Sequence, residues 1–118
     1  MRRHLLDVDG VLHRALVAEV MDDDGWRPVG IARYIRQPGT DSEAEAALEV
    51  VDDWQHRGVG VMLLRALFAD ARGTGVCTLV GDVLPGNNQV VGLLRKHFPP
   101  TSISWRDGTL RIAVATSW

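Results

Sequence analysis

Apolar positions recur along this chain at two periods, and the places where one gives way to the other mark out its elements. Residues 14–21 and 28–36 are apolar runs separated by Asp22-Asp23-Asp24-Gly25, the signal of an antiparallel hairpin. A loop at 37–42, with Pro38-Gly39, leads into a third long strand predicted over 43–51. Over 61–72 the period becomes helical: Leu63 and Leu64, Leu67 and Phe68, then Ala71 form one stripe, which Gly73-Thr74-Gly75 ends. Residues 78–84 are apolar on both faces apart from Asp82, the pattern of a central parallel strand. Pro85-Gly86-Asn87-Asn88 breaks the chain, and 89–97 resumes as a short helix with Val90, Leu93 and Leu94 on one side. Residues 102–106, a turn at Asp107-Gly108 and residues 109–116 predict a closing hairpin. In its second strand Leu110, Ile112 and Val114 alternate with Arg111, Ala113 and Ala115, leaving one wet face.

Strand, helix, strand over 43–84 implies a crossover that places the connection 52–60 at the C-terminal end of its strand, where such sheets bind ligands. That connection reads Asp52-Asp53-Trp54-Gln55-His56-Arg57-Gly58-Val59-Gly60. Glycines spaced Gly-x-Gly ahead of a helix let backbone approach an anion, and the free N–H groups of the first helical turn then point at it. A bound phosphate is the expectation.

The segment Gln55-x-x-Gly58-x-Gly60 resembles motif A of the GNAT superfamily of acyl-CoA-dependent N-acyltransferases. The run Ala44-Glu45-Ala46-Ala47-Leu48-Glu49-Val50-Val51-Asp52-Asp53-Trp54 that precedes it is similar to bacterial protein lysine acetyltransferases of the Pat type. So are Val8-Asp9 with His13, Ala15-Leu16-Val17-Ala18, Gly30-Ile31-Ala32-Arg33-Tyr34, and Val83-Leu84 with Asn87, so the resemblance covers nearly the whole chain. It implies a mixed α/β fold: a mostly antiparallel twisted sheet with a central parallel strand pair and packed helices. It also implies acetyl-CoA as co-substrate. It would bind at Gln55 to Val61, its pyrophosphate on backbone N–H groups of His56, Arg57, Gly58, Val59, Gly60 and Val61, its pantetheine arm along Val50 and Val51 and near Asn87. As an N-cap, Asn87 would serve equally well.

Transfer to an amine further requires a proton acceptor, because an amine with a pKa near 10.4 is neutral in only about four molecules per ten thousand at pH 7. Glu45 falls on the glutamate that Pat-type enzymes use as general base. Glu49, four residues on and on the same strand face, would shape the field. Solvated glutamates on an exposed strand end are the plainer alternative. The family's usual leaving-group tyrosine after the second helix has no counterpart, since Tyr34 is the one tyrosine, and Phe98-Pro99 replaces the usual Gly-Phe. The family's N-terminal strand and helices would precede residue 1, so a homodimer covering the exposed strands is expected. An acyl-CoA-binding module without catalysis is the second reading.

Composition narrows the alternatives. At 118 residues one domain is expected, and a net charge of −2 offers no basic field for nucleic acid. No apolar run approaches the length of a membrane span and no signal peptide is evident, making the cytoplasm the default. Twelve arginines against the single Lys96 fit a high-GC bacterial genome. Cys77, the lone cysteine, opens an apolar run and is expected to be a buried thiol. The histidines His4, His13, His56 and His97 lack metal-ligand spacing, and the Asp22–Asp24 triplet reads as a solvated turn, so no metal is expected. Leu6-Asp7-Val8-Asp9-Gly10 resembles the nucleophile motif of haloacid-dehalogenase-type phosphatases. Those enzymes place a lysine between their two acidic motifs, whereas Lys96 follows both Asp7 and Asp82. A turn at Asp9-Gly10 is the better reading.

Overall fold

The computed structural model describes residues 1–9, 13–36, 39, 42–55, 57–83, 88–98 and 101–116. The Asp9-Gly10 turn therefore falls partly outside the described residues, as do His56 and Asn87. Among the described residues, seven strands form one sheet: β1 (Arg2–Asp9), β2 (His13–Asp22), β3 (Gly25–Arg36), β4 (Glu43–Val50), β5 (Thr78–Val83), β6 (Thr101–Arg106) and β7 (Thr109–Ala115). Their order is β1-β2-β3-β4-β5-β7-β6. Every neighbouring pair is antiparallel except β4 and β5, which the helix α1 (Val59–Gly73) joins as a parallel crossover. A second helix, α2 (Asn88–His97), follows β5. The mixed sheet with one parallel pair matches the expected fold class.

Both helices lie on one face. Val59, Leu63, Leu64, Leu67, Phe68 and Ala71 are the buried positions of α1, at the spacing of a single stripe. Phe68 meets Phe98, just beyond α2, with ring centroids 5.0 Å apart, which ties the helices together. Beneath them lie Leu16 and Ala18 of β2, Ala32 and Tyr34 of β3, Ala44 of β4, and Ile112 and Val114 of β7, all buried. Because side chains alternate along a strand, Glu45, Ala47 and Glu49 point to the opposite face.

Two sequence expectations need correction. Helix α1 begins at Val59, not 61, because Gly58 adopts the left-handed conformation (φ 82°) as N-cap and its carbonyl accepts the Met62 N–H at 3.0 Å. Cys77 is exposed, not buried. The inward position before β5 goes to Val76, 1% exposed, and the next residue along an extended chain faces out.

A polar network pins the sheet to the last turn of α1. Arg14 of β2 donates to both carboxylate oxygens of Asp70, from Nε to Oδ2 at 2.6 Å and from Nη2 to Oδ1 at 2.9 Å. The Tyr34 hydroxyl donates to Asp70 Oδ2 at 2.8 Å and lies 2.8 Å from Thr74 Oγ1. Burial works against the Asp70 carboxylate, yet the hydrogen bonds from Arg14 and Tyr34 outweigh it and hold its pKa below the usual value.

Candidate functional site

The parallel pair parts almost as soon as it forms. Strands β4 and β5 are in register only over Glu43–Glu45 and Thr78–Val80, and beyond that rung they diverge. The Val51 N–H donates to the Val29 carbonyl in continuation of the β3 ladder, so the alternate residues Ala46, Leu48 and Val50 aim their backbone groups away from β3, toward the gap. The gap is a wedge-shaped cavity of ≈ 110 Å³. Ala46 and Leu48 form one wall and Gly81 and Val83 the other; Leu64 and Phe68 of α1 close the helix side. At its vertex a Cβ on Gly81 would sit 3.0 Å from the Ala46 carbonyl oxygen, so glycine there lets the two strands meet before they part.

The wide end of the wedge is overhung by the start of α1. Among the described residues no side chain caps this helix, and no acidic residue occupies its first turn. With Met62 making the first i→i−4 bond, the N–H groups of Val59, Gly60 and Val61 have no intrahelical acceptor, which suits an anion. Gly60 has a packing reason as well: a Cβ there would meet Leu93 at 3.3 Å and Leu48 at 3.5 Å. The Gln55 side chain turns back, its Nε2 donating to the Val50 carbonyl at 3.1 Å and to Asp52 Oδ1 at 3.3 Å. That braces the loop against the end of β4. Arg57 is exposed and lies over the Trp54 ring at 4.7 Å. Val51 is 43% exposed, Val50 half-buried.

On the face away from the helices, Glu45 and Glu49 share a side of β4 but stand about 13 Å apart along the strand. One amine cannot be served by both. Glu45 occupies the last paired rung, beside the vertex of the wedge. Its Oε1 accepts from Arg111 Nη2 at 2.7 Å, while Arg111 Nη1 donates to Asp82 Oδ1 at 2.9 Å. Asp82 also lines the wedge, so the cavity reaches both faces of the sheet. Gly81 and Arg111 carry no motif, and what singles them out is the position the tertiary fold gives them. Alternation in β7 did mark Arg111 as facing away from the core.

The family model described as acetyltransferase (GNAT) family matches residues 5–98. Acetyltransferase PA5475 of Pseudomonas aeruginosa is 37% identical over 71 residues, 60% of this chain and 38% of that protein. The GNAT domain of S. lividans Pat superposes with a TM-score of 0.77 at 28% identity, over 89% of this chain and 61% of that one. A cAMP-binding acyltransferase from Mycobacterium smegmatis gives a TM-score of 0.78 at 26% identity, over 95% of this chain and 34% of that one. This chain thus spans less than two thirds of each of these relatives. The phosphatase resemblance fails on topology: Asp7 and Asp9 lie on β1, an antiparallel edge strand, not at the C-terminal end of a central parallel one.

Proposed function

The chain belongs to the GNAT acetyltransferase family, and on that footing we propose that it moves an acetyl group from acetyl-CoA to a primary amine, a protein lysine or a small amine. The observation that carries this reading is the parting of β4 and β5 beneath the uncapped N-terminus of α1. Backbone groups of Ala46, Leu48 and Val50 can pair with a pantetheine arm as an added strand would, and the N–H groups of Val59, Gly60 and Val61 can hold its pyrophosphate. The thioester then lies toward the vertex, and the acceptor approaches from the opposite face, where Glu45 stands.

In this mechanism the amine nitrogen attacks the thioester carbonyl carbon, and a backbone N–H of β4 stabilises the oxyanion. Glu45 takes the proton that the amine releases. The C–S bond breaks, and CoA leaves as a thiolate, a fair leaving group for a thiol pKa near 8.5. Glu49 lies too far away to share the proton and contributes only to the field.

Two measurements test the proposal. Acetyl-CoA at about 100 times its dissociation constant should stabilise the fold by roughly 2.7 kcal/mol, a melting shift on the order of 10 °C for a chain of this length. Glu45→Gln should keep that shift while turnover falls about a hundred- to ten-thousand-fold. Absence of a shift with millimolar acetyl-CoA refutes the reading. Binding without transfer to any amine makes the protein an acyl-CoA-binding module instead.

A further inference from the structure

We propose that Arg111 is a positioning residue for acetyl transfer, a strap from β7 that holds the Glu45 carboxylate at the vertex of the wedge and is itself anchored on Asp82. The inference rests on the reading of Glu45 as proton acceptor. Backbone pairing between β4 and β5 ends at Glu45 and Val80, so beyond that rung no ladder bond fixes one strand relative to the other. Arg111 bridges this place from one strand further out. It faces Asp82 directly across β5 and β7, and its second nitrogen reaches past β5 to Glu45 on β4. Its side chain is only 19% exposed, against 37% for Glu45 and 54% for Asp82, so the guanidinium is the fixed member of the trio.

A glutamate side chain has three rotatable bonds, and one standing at a wet strand end samples several rotamers. A charge-assisted bond from a guanidinium whose other arm is anchored on Asp82 selects one. Oε1 is taken by Arg111, while Oε2 has no hydrogen-bond partner among the described residues and can meet the incoming amine. The plainer account is an ion pair kept for stability. Pairs this exposed contribute little to stability, so that account predicts a small effect on folding and none on chemistry.

The test measures kcat and KM for acetyl-CoA with Nα-blocked lysine amide and with polylysine as acceptors, beside the melting temperature. Arg111→Gln should lower kcat on the order of 10- to 100-fold, with KM for acetyl-CoA unchanged and melting moved by no more than a few degrees. Arg111→Lys should recover part of the loss, since an ammonium can hold one carboxylate but lacks the fork. In a Glu45→Gln background the Arg111→Gln change should cost less than about twofold, because nothing remains to be positioned. Unchanged kcat in Arg111→Gln, or an equal loss with and without Glu45, overturns the proposal while leaving Glu45 in its role. Full turnover by Glu45→Gln alone overturns the underlying reading instead, and no transfer to either acceptor by the unmodified protein overturns both.

Discussion

Replacing Tyr34 by Phe would remove one oxygen from the polar network that ties β3 to α1 and change little else. Tyr34 is 0% exposed, and its hydroxyl sits 2.8 Å from both Asp70 Oδ2 and Thr74 Oγ1, so the loss falls on two partners at once. A hydrogen bond to a charged acceptor contributes about 1.5–3 kcal/mol, and Thr74 keeps a bond to the Ala71 carbonyl at 3.1 Å, which places the expected cost at about 2 kcal/mol. With an unfolding entropy of about 2.1 cal/mol/K per residue, that lowers the melting temperature by roughly 8 °C. Urea denaturation of both proteins at a series of pH values is the assay. The sign of the pH effect follows from Asp70, whose folded pKa is depressed. Its stabilisation is present above the unfolded carboxylate value of about 3.9 and is lost as pH falls through the lower folded value. Tyr34→Phe removes one of the donors responsible, so the gap between the two proteins should be widest near neutral pH and narrow in acid. A penalty below about 0.5 kcal/mol at pH 7, or one that stays constant into acid, would refute the reasoning.

Beyond the Tyr34, acetyl-CoA, Glu45 and Arg111 experiments, three substitutions probe the scaffold of the site. Gly58→Val forces a β-branched residue into a positive-φ conformation, at a cost of about 1–2 kcal/mol, and should weaken acetyl-CoA binding measured by calorimetry. Gly73→Ala, at the far end of the same helix and with nothing within 4 Å of an added Cβ, should leave binding alone. Phe98→Ala deletes a ring that is 0% exposed and packed on Phe68, and should cost about 3–5 kcal/mol by chemical denaturation. A cost below about 1 kcal/mol would show that the two helices do not depend on that contact.

The sequence alone determined the elements from β2 onward and the glycine-bearing start of α1, because these are written in local patterns; β1 (Arg2–Asp9) was not among the predicted strands. The stripe from Leu63 to Ala71 has one interpretation at helical spacing, and the alternation from Leu110 to Ala115 has one in a strand. Gly58 was legible because a helix start with positive φ calls for glycine. Local pattern could not say what lies across a strand. That Val76, not Cys77, turns inward depends on where β5 begins, and β5 begins where Ser42 accepts the N–H groups of both Cys77 and Thr78. That Gly81 touches the Ala46 carbonyl, and that Arg111 closes on Glu45 from 66 residues away, follow from strand order alone. The sequence put Glu45 and Glu49 on one face, but only the sheet gave them different surroundings. The wedge opens immediately after Glu45, and the guanidinium that fixes its carboxylate comes from the strand on the far side of β5. Such contacts are non-local and leave no period in the chain, because each partner's position is set by packing that the rest of the molecule completes.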